Sequence, residues 1–329
     1  MEGTYTIDCC QYGNWSPRMF QQMRDGGVDA VNATICYHED FRETVEKIVD
    51  WNRQFDQNSS LIVMARSAGD IDRARAAGRT AIFLSLQNCS AIEDDIGLVE
   101  ILHALGVRFM QLTYNNQSLL GSGCYETVDA GITRMGREVI EEMNRVGMVI
   151  DMSHSGERST REAIDLSQRP IAITHANPSI WHPAKRNKSD GLLRAMASRG
   201  GLLGLSLYPH HLKDGSNCEL ASFTAMAARL ADLIGVDHIG IGSDLCQDQP
   251  DSVVAWMRNG RWTKRDSGLG LGAAVFPAQP AWFRDNRDFN RLRTGMLAQG
   301  FSANDTAKIM GGNWYRFYRD GFIPADAKP

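Results

Sequence analysis

A closed (β/α)8 TIM barrel in a single catalytic domain spanning residues 1–329 is the fold class this sequence predicts, and three observations predict it. Short β-rich apolar runs recur along the chain, and stretches of helical period separate them. At 329 residues, 43% hydrophobic and 22% charged, the chain has apolar mass for one large core. Parallel neighbouring strands require crossover connections, so strand-then-helix alternation implies a parallel sheet.

Taken in order, the strands are expected at residues 5–10 (YTIDCC), 30–37, 81–87, 107–114, 147–154, 170–176, 200–208 and 238–245. A ninth run, LIVMARS at 61–67, reads as an accessory strand or as part of a connection. Amphipathic stretches such as ETVEKIVDWNRQF and GREVIEEMNRVG lie between the runs, and several close on a glycine suited to a helix C-cap. Near the end, Ser302 stands three residues before Asp305, a capping-box variant that predicts a terminal helix over SANDTAKIMGGNWYRFY. Two connections are long for a barrel, Tyr114 to about Arg134 and Cys246 to about Asn286. The second, an expected lid over 246–286, carries Trp256, Trp262, Phe276, Trp282 and Phe283 beside RWTKR. That mixture suits apolar walls with cations for an anionic substrate.

The formal net charge of −4 gives no basic field, which argues against nucleic acid as a partner. The first strand begins too early for a secretion signal, and the apolar runs fall short of the roughly 18 residues a membrane span needs. Seven cysteines with no repeated CxxC spacing suit reduced thiols. A cytoplasmic protein without membrane attachment is the expectation. Barrels of this kind often pair, which leaves a homodimer open.

In a TIM barrel the reactive groups sit where strands end. His154 closes VIDMSH and His175 closes IAITH on consecutive strands, so their imidazoles should converge, and two such histidines are half of a divalent-metal site. Asp244, closing GIGSD on the last strand, is the third convergent group. Arg186, in HPAKRNKSD, is either a carboxylate clamp or a surface arginine paired with Asp190. His210 and His211 follow a strand end and are candidates for the pocket mouth. The run His38, Glu39, Asp40 reads as a helix start. No glycine-rich phosphate loop and no GxSxG elbow is present.

In these segments the chain resembles the membrane (renal) dipeptidase family of metallopeptidases. The resemblance runs in order through LGVRFMQLTYNN, GREVIEEMNRVGMVIDMSHSG, RPIAITHANP, RNKSDGLLRAMASRGG, IGIGSDL and KIMGGNWYRF. It implies an amidohydrolase-like barrel that cleaves small dipeptides with two bridged zinc ions. By this resemblance His154 and His175 correspond to the histidines of one zinc site. Arg186 corresponds to the arginine that holds the substrate carboxylate, with Asn187 beside it, and Asp244 to the aspartate that handles the scissile nitrogen or substrate amine.

Four other positions depart from the family. Its first strand ends in His-x-Asp, where this chain has Cys10 and Tyr12. Its bridging glutamate is Gln87 here, and a substrate-side histidine is Tyr114. Two zinc ions about 3.5–4 Å apart depend on carboxylates to offset their repulsion. The loss of both carboxylates therefore implies one divalent ion, zinc or another, on His154 and His175, with Asp244, Cys10 or Gln87 as third ligand.

The expected function is a dipeptidase-like hydrolase of a small carboxylate-bearing amide, with Asp244 moving a proton and Tyr114 donating to the oxyanion. The alternative is a metal-free pocket in which Asp244, His154 and Tyr114 transfer protons, or which only binds an amino-acid-like ligand. A third reading is a metal of softer preference, if Cys10 and Tyr12 both point inward. Strand alternation puts residues 8, 10 and 12 on one side, so Cys10 and Tyr12 should enter the pocket together and Cys9 should point away.

Overall fold

A computed structural model describes residues 4–261 and 273–323. Nine parallel strands are present among them: β1 (Ile7–Gln11), β2 (Ala30–Cys36), β3 (Ile62–Met64), β4 (Thr80–Leu86), β5 (Val107–Gln111), β6 (Val149–Asp151), β7 (Ala172–Ala176), β8 (Leu202–Leu205) and β9 (Ile239–Ile241). Eight of them close a barrel, since β2 pairs directly with β4 and β9 pairs with β1. β3 is the accessory run: Ile62 to Met64 pair with the first residues of β4, while β5 takes that edge from Leu84 onward. The fold is a (β/α)8 TIM barrel. Several predicted strands are shorter than their apolar runs: β6, β8 and β9 end at Asp151, Leu205 and Ile241, and His154, Tyr208 and Asp244 beyond them line the mouth.

Two apolar layers hold the barrel. Residues such as Val31, Ile82, Met110, Ile150 and Ile173 join the surrounding helices in one large cluster. The lower interior is shut by the helix Asn313–Gly321, whose Tyr318 ring packs against Phe83 and Phe109 at 4.9 and 5.5 Å. The predicted terminal helix is thus interrupted: Ser302 caps Ala303–Ala307, and a wide turn over Lys308–Gly312 precedes the plug. Asp40 caps Phe41–Gln57 in a full capping box with Glu43, as a helix start requires.

The first strand corrects an expectation. Along β1 and β2 the register runs Ile7 to Ala30, Asp8 to Val31, then Gln11 to Ala33, so Cys9 and Cys10 together oppose Asn32. This β-bulge breaks the alternation and turns both thiols inward. Cys9 Sγ sits 3.1 Å from Asn32 Nδ2 and 3.2 Å from Tyr318 Oη, and Cys10 sits one layer above, near Thr34. Tyr12 leaves the pocket instead. Its ring meets Tyr37 edge-on at 4.7 Å and lines a separate depression with Trp15 and Trp51.

Candidate metal centre and substrate pocket

The barrel mouth holds a cavity of 50 Å³ whose walls include Gln87, Tyr114, Asn115, His154, Arg186, Tyr208 and Asp244. A larger depression of 320 Å³, between the helices Asp190–Ser198 and Leu220–Ile234, contains none of these residues.

His154 and His175 are buried, and their Nε2 atoms face each other at 3.0 Å. What lies behind each ring decides what lies between them. Thr174 donates its hydroxyl hydrogen to Asp151 Oδ2 at 2.6 Å, so its oxygen accepts from His175 Nδ1 at 2.8 Å. Asn115 Oδ1 accepts from His154 Nδ1 at 2.8 Å. With both Nδ1 atoms donating, two Nε2 lone pairs converge. That donor set suits a divalent cation, and the partners behind the rings are the kind that fix the tautomer of a metal-ligating histidine. Burial, and the Arg186 guanidinium next, hold both imidazoles well below the usual histidine pKa, so they stay neutral.

Asp244 converges with Cys10 on the His175 ring, and the His154 nitrogen is not part of that group. One oxygen atom of the Asp244 carboxylate, the sulfur of Cys10 and a nitrogen of His175 lie within 4.8 Å of one another. Asp244 has φ +57°, in the left-handed region that aspartate tolerates better than most residues. Gly204 and Gly242 admit the Thr174 carbonyl, since a Cβ at either would fall within 2 Å of it (1.9 and 1.7 Å). Burial pushes the Asp244 carboxyl up to about 6, with Arg186 opposing the rise.

The other half of the mouth is closed on itself. Gln87 Nε2 donates to Thr34 Oγ1 at 2.8 Å and to Cys10 Sγ at 3.2 Å. Burial, with Asp244 nearby, pushes the Cys10 thiol well above its usual range. Gln87 brings an uncharged amide to this side and Cys10 a protonated thiol, so among the described residues nothing here replaces the two carboxylates that the resemblance implies.

Arg186 is buried and is not a surface residue paired with Asp190. It donates to the carbonyls of Ser153 and His175 and lines the cavity. Asn187 does not line the cavity. Its Nδ2 donates to the carbonyls of His182 and His211 and its Oδ1 accepts from Asn177 N, so its amide is spent on loop structure. Tyr114 stacks on His154 with ring centres 4.1 Å apart, and burial keeps its phenol protonated. His210 and His211 line the mouth.

The connection after β9 is only partly a cover. Its helix Ser252–Asn259 contributes Val254, Met257 and Arg258 to the cavity, and Trp256 meets His38 edge-on at 5.4 Å. Trp282 and Phe283 instead pack with Phe223 and Phe289, away from the cavity. Residues 262–265 of RWTKR lie outside the described residues. Sequence reasoning missed Asn115, Thr174, Asp151, Tyr125, Tyr208 and Arg258. Of these, Asp151 and Thr174 carried a signal, as polar residues in strand runs just before the two histidines.

A TIM barrel whose mouth brings together two facing histidines, an aspartate and a buried arginine has the make-up of a metallohydrolase-type site. The particular family follows from comparison: the model of the membrane dipeptidase family (peptidase family M19) matches residues 16–255, and the chain belongs to that family. Dipeptidase tcpJ of Claviceps purpurea is 25% identical over 287 residues, 86% of this chain and 61% of that protein. Dipeptidase aclJ of Aspergillus oryzae is 25% identical over 289 residues, 86% of this chain and 62% of that protein. The chain thus spans about three-fifths of the length of these curated relatives. An amidohydrolase from Pseudomonas aeruginosa superposes with a TM-score of 0.92 at 35% identity, covering 97% of this chain and 96% of that one. A Rhodobacter sphaeroides metallopeptidase, crystallised with a phosphinate mimic of L-Ala-D-Ala, shares the fold at a TM-score of 0.77 and 18% identity, over 96% of this chain and 99% of that one. Among the described residues, no helix is long and apolar enough to cross a membrane.

Proposed function

We propose that the chain is a dipeptidase-like hydrolase of a small carboxylate-bearing amide, using one divalent ion held by His154, His175 and Asp244. The observation that carries this reading is the pair of facing Nε2 lone pairs, each fixed by a hydrogen bond at the far side of its ring. Asp244 ranks above Cys10 as third ligand because Cys10 Sγ already accepts a hydrogen bond from Gln87 Nε2. A bound ion would supply Lewis-acid polarisation of the amide carbonyl and a water acidified to a pKa of about 7.

The remaining work belongs to the chain. Asp244 takes a proton from the attacking water and hands it to the leaving nitrogen. Arg186 holds the substrate carboxylate from the pocket floor, and Arg258 adds positive charge from the covering helix. Tyr114, kept protonated by burial, donates to the oxygen on which charge develops. The cavity of 50 Å³ is too small for a dipeptide, so the Ser252–Asn259 helix gives way on binding.

A metal-free pocket is the second reading, since 3.0 Å is also a hydrogen-bond length. It requires a proton between the rings. That means an imidazolium, which burial and Arg186 oppose, an Asn115 amide turned to donate to His154, or a Thr174 hydroxyl turned to donate to His175. Hydrolysis of dipeptides and N-acyl amino acids, measured against the same compounds with the carboxylate amidated, tests the proposal. Turnover should be confined to the free acids, and KM should rise in Arg186→Met. Equal turnover of acid and amide would remove Arg186 from its role.

A further inference from the structure

Beyond the end of β6 the chain leaves the sheet, and the carbonyls of residues 153–155 need donors from elsewhere. Cys124 N donates to His154 O at 2.8 Å, and the Arg186 guanidinium to Ser153 O. The third donor is Lys188, whose Nζ lies 2.6 Å from Ser155 O. Lys188 is only 1% exposed and has no ion pair with a carboxylate among the described residues. One neutral donor would satisfy a carbonyl at far lower desolvation cost than a buried ammonium, which burial pushes down to about 8. Its placement is specific: Arg186 and Lys188, two residues apart, grip the carbonyls on either side of His154.

We infer that Lys188 is a positioning residue of the site: by holding Ser155 O, as Arg186 holds Ser153 O, it fixes the His154 imidazole with Nε2 aimed at His175. Without the brace, residues 153–155 gain freedom on the Ser155 side, and the ring is held less firmly by its remaining contacts to Asn115 and Tyr114. Lys188 touches neither the cavity nor the facing nitrogens, so its effect runs through His154. The inference rests on the metal reading above.

The test compares wild type, Lys188→Met and Lys188→Arg for Co2+ affinity, and for the ring-nitrogen signals of His154 in 15N-histidine-labelled apoprotein. Lys188→Met should bind Co2+ about 10–100-fold more weakly, as loss of an outer partner of a metal ligand does. Its His154 signals should broaden or split, while Lys188→Arg stays within a few-fold of wild type. Affinity within twofold and unchanged His154 signals in folded Lys188→Met would overturn the inference. If Lys188→Met does not fold, Lys188→Gln takes its place; neutral and shorter, it should lose affinity several-fold, and no loss would be contradictory. Absence of Co2+ binding by wild type would contradict the metal reading instead, and the His154 signals of the apoprotein would then decide the role of Lys188 alone.

Discussion

The two halves of the barrel mouth are built from the same kind of strand end, yet they treat their polar atoms in opposite ways. On the side of β1, β2 and β4, Gln87 spends its amide hydrogens on Thr34 and Cys10. On the side of β6 and β7, the hydrogen bonds lie behind the rings, at Asn115 and at Thr174 with Asp151, and two nitrogen lone pairs are left facing each other. Satisfied groups stabilise a fold, whereas groups held open by their surroundings are a site. A side chain's chemical type alone does not tell which half it serves, since Cys10 borders both halves.

The sharpest way to break this comparison is His175→Ala, which removes one of the facing nitrogens. Metal binding and turnover should both be abolished with the fold intact by circular dichroism; full activity would sink the proposed function. Asp244→Asn should lower turnover by about 10²–10⁴-fold, the usual range for a lost acid–base group, as read from kcat on the best free-acid substrate. Thr174→Val leaves the proposed ligands in place and removes only the support behind His175, and metal affinity should fall about 10–100-fold.

A change on the closed half should separate stability from chemistry. Gln87→Leu strips Thr34 and Cys10 of a donor, costing about 1–3 kcal/mol in urea unfolding while metal content stays unchanged. A drop in metal content would place Gln87 in the ligand set and erase the contrast between the halves.

The smallest effect lies away from the mouth. His103 is held down to about 4 by burial, with Arg108 and Arg66 adding to the shift, and its Nε2 is buried without a partner. As pH falls through 6.5 toward 4, the unfolded chain takes up a proton that the folded chain refuses, so stability present above that window is lost within it. Between pH 7 and 5 the Tm of wild type should fall more than that of His103→Leu.

The barrel was legible because the alternation of apolar runs and helical stretches repeats along the chain, and β3 was visible as a run too short for a barrel strand. His154, His175 and Asp244 were legible because a strand end in a barrel has only one place to point. Cys9 and Tyr12 were misplaced because a bulge inverts alternation without any proline or glycine to announce it. Asn187 was misjudged, and Lys188 overlooked, for a related reason: in an irregular loop, adjacent residues face different neighbours, and only coordinates show that Asn187 serves the loop while Arg186 and Lys188 reach back to β6. Trp282 and Phe283 shared a long connection with the covering helix, and composition does not separate a wall from a core.

The most direct test of the central claim is metal per protomer, measured by elemental mass spectrometry on protein purified without supplementation and on a His154→Ala, His175→Ala double variant. One ion in the wild type and none in the variant is the predicted result. Two ions, or one that survives loss of both histidines, would contradict the assignment of the open half of the mouth as the metal centre and the closed half as its metal-free counterpart.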